Sequence, residues 1–170
     1  MSDNQIHLQP IELSLLKEYY KDFEMDPEIY MDMSLFHEYQ YSAEKVEAYY
    51  NKLKSQKDRV DFLIMLNEKP IGEIGLKHID NSARHCEMSI HLQNDRVKNK
   101  GFGTQAERLI IEYAFNKLGI KEILANSVLK NTRSQHTLEK VGFKETDRDE
   151  TFIYYKYTRK IMLGICLYLL

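Results

Sequence analysis

The chain has 170 residues, of which 43% are hydrophobic and 11% aromatic, enough for one domain with a buried core. The formal net charge of the whole chain is −2, which argues against a nucleic-acid-binding protein. The polar start lacks a secretion signal, and the spacing of Cys86 and Cys166 indicates neither a disulfide framework nor a metal site, so a reducing, cytoplasmic location is expected.

Periodicity and turn residues predict the elements in chain order. Three consecutive strands joined by short turns favour an antiparallel meander. The predicted elements are a strand at 6–8, helices at 13–23 and after Ser42, strands at 60–66, 71–79 and 84–92, a central helix after Gly103, a strand at 120–128, a helix from Asn131 to Gly142, and a hairpin of 143–146 and 151–157. This order predicts an α+β fold with a mixed α/β sheet, in a single domain over residues 1–160.

Charge and hydropathy are distributed unevenly. Residues 11–50 carry ten Asp and Glu against three Lys, whereas residues 96–144 carry ten Lys and Arg against four Glu. This asymmetry predicts two partners of opposite charge, unless both stretches are ordinary solvated faces.

The tail at 161–170 (IMLGICLYLL) is about half the roughly 20 residues of a membrane helix. We expect no membrane partner, and a tail that packs on the body or on a second subunit, so that a homodimer is one expectation.

A glycine-rich turn follows the strand at 84–92, in which apolar and polar side chains alternate. Gly101 and Gly103 precede helical spacing that begins at Ala106, and cations surround them. The four cations are Arg96, Lys98, Lys100 and Arg108. Such a turn leaves unpaired N–H groups at the positive end of a helix dipole, so it predicts a phosphate or pyrophosphate site.

The same glycines satisfy the dinucleotide fingerprint G-x-G-x-x-A. In that motif the strand runs directly into the first glycine, and an acid closes the next strand. Here eight residues separate Leu92 from Gly101, and the next strand ends in Asn126 and Ser127. A Rossmann site is therefore disfavoured, and a Walker A loop is excluded because the sequence has no G-x-x-x-x-G-K-[ST].

Two motifs resemble those of the GNAT superfamily of acetyl-CoA-dependent N-acetyltransferases. Residues 98–104 (KNKGFGT) resemble its pyrophosphate loop, Q/R-x-x-G-x-G/A, and residues 131–143 resemble its second conserved block. The spacing from Glu87 through Ile90 to Gly101 is similar to that of the branch with ribosomal-protein alanine N-acetyltransferases and polyamine acetyltransferases. The resemblance implies a six- to seven-stranded, mostly antiparallel sheet, splayed at its centre and flanked by about four helices.

The resemblance also implies how coenzyme A would bind. The backbone of Ile90 and Leu92 would hold the pantetheine arm like an added strand, and Asn131 and Ser134 would contact that arm. The pyrophosphate would lie on Lys98, Asn99, Lys100, Gly101, Phe102, Gly103 and Thr104. Helix capping by Asn131 and Ser134 is the structural alternative.

Three positions depart from the family pattern. Lys98 replaces the usual Gln or Arg, which keeps a cation but loses the planar fork of a guanidinium. Asn99 stands where glycine is common, and asparagine tolerates unusual backbone angles better than most residues. Leu138 occupies the place of a tyrosine that acts as general acid in several relatives, so that role is vacant or has moved.

Acetyl transfer requires a neutral amine, and deprotonating an ordinary amine at pH 7 costs roughly 4 to 5 kcal/mol. Glu87 matches a glutamate that acts as base in similar enzymes, which would need a raised pKa or a water relay. His85 and His91 share its face and are alternative bases, and Glu87 would alternatively only pair with a cation. Ser134 is the first candidate for the general acid. Alternatively, Tyr154 or Tyr155 donates this proton, or the sulfur leaves unprotonated as a thiolate beside a helix N-terminus.

The acidic, tyrosine-rich segment at 24–47 lies where similar enzymes build a substrate lid. Its carboxylates suit a cationic acceptor: a polyamine, an aminoglycoside-like molecule or a peptide N-terminus. The substrate-binding candidates are Tyr30, Tyr39, Tyr41 and Glu87, although ordinary packing would also explain the tyrosines. We expect an N-acetyltransferase that uses acetyl-CoA in a ternary complex without a metal; a catalytically weak acyl-CoA-binding module or sensor is the alternative.

Overall fold

The computed structural model describes residues 5–159, which form one seven-stranded sheet flanked by four α-helices. In chain order the elements are β1 (Ile6–Pro10), α1 (Leu13–Lys21), two short 3-10 turns (Pro27–Ile29 and Met33–Leu35), α2 (Ala43–Ser55), β2 (Val60–Leu66), β3 (Lys69–Asp80), β4 (His85–Leu92), α3 (Phe102–Asn116), β5 (Glu122–Val128), α4 (Thr132–Val141), β6 (Lys144–Arg148) and β7 (Phe152–Thr158). The predicted order of elements is confirmed. The apolar tail at 161–170 lies outside the described residues.

The sheet is antiparallel except at its centre, where β4 and β5 are parallel. Its strand order is β1-β2-β3-β4-β5-β7-β6. Strands β4 and β5 pair only from His85, opposite Glu122, to Glu87, opposite Leu124. Beyond Glu87 they separate, so the edge of β4 that faces β5 carries backbone groups without a neighbouring strand. The predicted mostly antiparallel, centrally splayed sheet is confirmed.

Hydrophobic cores lie on both faces of this sheet because its strands alternate their side chains. On one face, Ile110 and Ala114 of α3 pack over Cys86 and Met88 of β4. On the other, α1 and α2 bury Leu16, Tyr19, Val46 and Leu53 against Leu63 of β2. Strands β3 and β4 approach closely at Gly72, since a Cβ atom there would lie 2.8 Å from the carbonyl oxygen of His91.

The segment between α1 and α2 crosses from β4 to β5. The N–H of Glu24 donates to the carbonyl of Gln93 at 2.8 Å, just beyond the end of β4. The first 3-10 turn then contacts β5. The side chains of Asp26 and Asp32 cap the two turns by accepting from the N–H groups of Glu28 and Ser34. This segment therefore lies over the opening between the separated strands.

Several boundaries differ from the prediction by one or two residues. The first helix ends at Lys21 instead of residue 23 and β5 begins at Glu122 instead of residue 120, whereas β1 extends to Pro10 and β3 begins at Lys69. Among residues 5–159, no helix combines the length and the apolar character that crossing a bilayer requires.

Candidate active site

A cavity of about 620 Å³ lies beside the unpaired end of β4. Its walls come from β4, the glycine turn, the first turns of α3 and α4, and the segment at 23–29. Nine of the residues predicted to bind the coenzyme line it: Ile90, Leu92, Lys98, Asn99, Gly101, Gly103, Thr104, Asn131 and Ser134. Residues that are distant in sequence thus meet at one site.

The glycine turn is held open by two left-handed residues. Asn99 has φ 59° and Gly101 has φ 83°. Asparagine adopts such left-handed backbone angles more readily than most residues, as expected at this position. The first helical hydrogen bond of α3 runs from the N–H of Gln105 to the carbonyl of Gly101, at 3.1 Å. The N–H groups of residues 102–104 precede that bond and have no acceptor within the helix. This geometry suits a diphosphate.

Two residues predicted to bind the coenzyme are absent from the cavity wall. Phe102 is buried in the core with 4% of its surface exposed, so only its backbone N–H is available to a ligand. Lys100 is exposed and lies outside the cavity wall. The loop therefore presents backbone groups and Lys98, not a ring of four cations.

An ion-pair cluster borders the cavity. The carboxylate of Asp26 accepts from Lys98 Nζ at 2.8 Å and from Arg133 Nη2 at 2.7 Å. Burial alone would raise the pKa of Asp26, but Lys98, the N–H of Glu28 and Arg133 together lower it. The exposed carboxylate of Asp95 contacts the same two cations at 3.1 and 3.4 Å. Sequence reasoning identified Lys98 but neither its acidic partners nor Arg133.

The start of α4 combines a helix cap with a place in the cavity wall. The Oδ1 atom of Asn131 accepts from the N–H of Ser134 at 3.1 Å, which confirms the capping expected of asparagine. Both residues also line the cavity, so capping does not remove them from the site. Leu138 is buried in the core.

Glu87 lies at the last paired position before β4 and β5 separate. Its carboxylate contacts Lys77 Nζ at 2.8 Å, His78 Nδ1 at 3.2 Å and Asn126 Nδ2 at 3.4 Å. It lies outside the wall of the large cavity. The expectation that Glu87 pairs with a cation is therefore realised.

His91 is closer to the cavity than Glu87 and lies in its wall. Solvent reaches the ring through the cavity, yet the surrounding protein atoms and the positive charges of Lys77 and Lys98 lower the pKa of His91. The imidazole is therefore neutral at pH 7 and has a free electron pair. His85 lies at the opposite end of the strand, where β4 and β5 are still paired.

The three tyrosines predicted to bind substrate do not line the cavity. The ring of Tyr39 packs 5.6 Å from Tyr20 and 5.1 Å from Phe23, and Tyr30 packs 5.8 Å from Phe36. Tyr41 is exposed. The residues of this segment that do reach the cavity are Phe23, Glu24, Met25, Asp26 and Ile29.

Glu107 is a cavity residue that sequence reasoning missed. Only 1% of its surface is exposed, and its Oε2 atom has no hydrogen-bond partner within residues 5–159. Burial raises the pKa of this carboxyl to about 8. One signal was present in the sequence, because Glu107 interrupts the apolar stripe that continues with Ile110, Ile111 and Ala114. Across residues 5–159, no group of three or more His, Cys, Asp or Glu side chains is arranged to hold a metal ion.

Comparisons with known proteins agree with this geometry. Over 106 residues the chain is 30% identical to a probable N-acetyltransferase, YjcK, of Bacillus subtilis (strain 168), an alignment that covers 62% of this chain and 54% of that protein. The chain thus matches about half the length of that relative.

Solved structures of low sequence identity share the fold. The spermidine N-acetyltransferase of Vibrio cholerae, solved with CoA and spermine, has a TM-score of 0.74 at 22% identity and aligns over 92% of this chain and 96% of its own. The aminoglycoside acetyltransferase AAC(6')-Ib, solved with coenzyme A, has a TM-score of 0.73 at 20% identity, with coverages of 91% and 95%. Residues 5–144 match the profile of the acetyltransferase (GNAT) domain. The chain therefore belongs to the GNAT family of acetyltransferases.

Proposed function

We propose that this protein transfers the acetyl group of acetyl-CoA to a primary amine, by direct attack within a ternary complex. One observation carries the proposal: the N-terminus of α3 and the unpaired edge of β4 border the same cavity. The first suits a diphosphate, and the second suits the amides of a pantetheine arm added as a strand. Coenzyme A combines these two groups in one molecule.

The coenzyme would be held mainly by backbone groups. The N–H groups at Gly101, Phe102, Gly103 and Thr104 would contact the diphosphate, and Ile90 and Leu92 would pair with the arm. Lys98 would exchange its bond to Asp26 for one to a phosphate oxygen, and Arg133 would do the same. Asn131 and Ser134 would contact the arm from α4. Asn99 contributes by its left-handed backbone, and Lys100 by long-range attraction only.

The amine must lose a proton before it attacks the thioester carbonyl. Glu87 would accept this proton through water, because its carboxylate lies where the two strands begin to separate. His91, neutral at pH 7 and in the cavity wall, is the alternative acceptor. Ser134 would donate its hydroxyl proton to the leaving sulfur, the role left vacant by Leu138, and would regain a proton from water as the free thiol forms.

A cationic acceptor is supported by the charge of the segment over the opening. Glu24 and Asp26 line the cavity, and Asp32 and Glu38 lie further along the same segment. Two solved proteins of similar fold are a spermidine N-acetyltransferase and an aminoglycoside acetyltransferase, and both kinds of compound are cationic amines. The acceptor classes are therefore polyamines, aminoglycoside-like molecules and peptide N-termini. Tyr30, Tyr39 and Tyr41 would shape the outer part of that site.

The reaction requires no metal, because the amine, the thioester and a proton acceptor suffice. We also propose a cytoplasmic location, which suits the free, buried thiol of Cys86, whose pKa is raised by burial to about 12. A homodimer is proposed as the assembly, and light scattering of the purified protein tests it.

The decisive experiment measures free thiol released from acetyl-CoA with a panel of amines that includes spermidine, an aminoglycoside and a basic peptide. Turnover with a cationic amine and none with a neutral analogue supports the proposal. Binding of acetyl-CoA without thiol release for any amine would instead establish the second candidate, an acyl-CoA-binding module. One observation favours this second candidate: Leu138 stands where several relatives have a tyrosine that acts as general acid.

A further inference from the structure

Glu107 is a buried acid in the cavity wall that the proposed function leaves unused. It follows Gly103 by one turn of α3, so it lies about 6 Å further along the helix than the phosphate-binding turn. Its Oε2 atom is buried without a hydrogen-bond partner among residues 5–159. The protein therefore holds a polar group at the cavity that its own described residues do not satisfy.

A purely structural role does not explain this residue. The next residues on the same face of α3 are Ile111 and Ala114, both buried and apolar. An apolar side chain at position 107 would continue that stripe without the cost of a buried, unpaired polar atom. Burial alone raises the pKa of Glu107, and no charged neighbour contributes. The carboxyl is therefore neutral at pH 7 and carries an O–H donor.

We propose that protonated Glu107 donates a hydrogen bond to the neutral arm of acyl-coenzyme A, so that coenzyme binding weakens when this carboxyl ionises. This inference rests on the proposed function. If the diphosphate occupies the turn at Gly101, the group one helical turn further on is the arm, whose amide carbonyls and hydroxyl accept hydrogen bonds. Glu107 is thus a coenzyme-binding residue and a pH-sensitive one.

Other charged groups reach the same cavity from the surrounding elements. Lys98 of the glycine turn and Arg133 of α4 are paired with Asp26. The remaining titratable groups in the wall are Glu24, His91, His136 and Lys140. Burial brings the ionisation of Glu107 into the interval between pH 7 and pH 9.

The experiment is calorimetric titration of acetyl-CoA, which has no free thiol, into the full chain at pH 6.5 to 9. For the wild type, Kd should rise about tenfold between pH 7 and pH 9, because only the protonated form binds well. Glu107→Gln keeps a neutral hydrogen-bond donor. Its Kd for acetyl-CoA should therefore not change with pH, apart from the change caused by ionisation of acetyl-CoA itself. Glu112→Gln, an exposed position on the same helix, should follow the wild type. Parallel profiles for the wild type and Glu107→Gln would overturn the inference.

Adenosine 3',5'-bisphosphate identifies which part of the coenzyme is contacted, because it lacks the arm. It should bind the wild type and Glu107→Gln equally at every pH. A difference between the two proteins with this fragment would overturn the assignment to the arm.

A second variant separates binding from folding. Glu107→Leu removes the buried polar group, so its melting temperature should rise while its affinity for acetyl-CoA falls about tenfold at pH 7. Unchanged affinity with raised stability would assign Glu107 no part in binding. If the wild type itself fails to bind acetyl-CoA, the proposed function fails; if it binds with parallel pH profiles, only this inference fails.

Discussion

The Nζ atom of Lys77 lies 2.8 Å from the Oε1 atom of Glu87, and the two residues face each other directly across β3 and β4. The pair stands at the position where β4 and β5 separate. Lys77 thus fixes the carboxylate at the inner end of the opening. Two variants test whether the carboxylate acts on the amine or only anchors the strand.

Glu87→Gln should lower the rate of acetyl transfer by about 10² to 10⁴ near neutral pH, because the amide cannot accept the proton. Affinity for acetyl-CoA should stay within about twofold, since Glu87 lies outside the wall of the cavity proposed to hold the coenzyme. Steady-state kinetics and calorimetry measure the two quantities. Lys77→Gln is the matched control: it breaks the same ion pair but should keep most of the rate. If Glu87→Gln keeps wild-type turnover, Glu87 is not the proton acceptor, and His91 becomes the candidate for that role.

Asp26→Asn should strengthen acetyl-CoA binding by about tenfold at low salt, or ~1.4 kcal/mol. Asparagine can still cap the 3-10 turn, but it no longer competes with phosphate for Lys98 and Arg133. The gain should shrink in 0.5 M salt (about a 4 Å Debye length), as expected of charges near the surface. Asp95→Asn, whose side chain is 79% exposed, should change the affinity little. Weaker binding in Asp26→Asn would mean that Asp26 positions the two cations.

Gly101→Ala should lower the free energy of unfolding by about 1 to 2 kcal/mol. The cause is the left-handed backbone at φ 83°, because no atom lies within 4 Å of an added Cβ. Gly103→Ala is the control for strain, since it has an ordinary φ and its Cβ would meet Leu92 at 3.8 Å, a normal contact. That change should leave stability level or raise it slightly. Equal losses of stability in urea unfolding would contradict backbone strain at Gly101 as the cause.

Tyr49→Phe should destabilise the fold by about 1 to 3 kcal/mol. The hydroxyl of Tyr49 donates to Glu73 at 2.6 Å, and Tyr20 donates to the same carboxylate at 3.2 Å. Burial raises the pKa of Glu73 and these hydrogen bonds offset part of that effect, so losing one leaves a buried oxygen unpaired. Tyr50→Phe on the same helix is the control, with an expected change below about 0.5 kcal/mol. Urea unfolding at pH 7 measures both.

Stability should fall as pH rises through the range set by Glu107. Its carboxyl ionises near pH 4.5 in the unfolded chain and near pH 8 in the folded one, so between these values only the folded state holds the proton. The contribution of Glu107 is complete below pH 4.5 and decreases by about 1.4 kcal/mol per pH unit up to pH 8. Urea unfolding from pH 5.5 to 8 should show a smaller slope for Glu107→Gln than for Glu112→Gln. Identical slopes would contradict the raised pKa.

The order of elements followed from the sequence because its signals are local. The alternation in β4, the capping by Ser42 and Asn131, and the left-handed turn at Gly142 each depend on residues a few positions apart. The glycine turn was recognisable for the same reason, and nine of the predicted coenzyme residues line one cavity. Phe102 and Lys100 are absent from the cavity wall, because the burial of one and the exposure of the other depend on how the turn and α3 pack on the sheet.

Only the tertiary structure decided which side chains meet. Asp26 reaches Lys98 across 72 positions and Arg133 across 107, a pairing created by the path of one segment over the split sheet. It also placed Glu87 beside Lys77 and buried Glu107 in the cavity wall. The family, the elements and the glycine turn were recognisable from the sequence, because propensity and motif act over short spans. Partners, burial and ionisation depend on contacts between distant segments, which exist only once the sheet has formed.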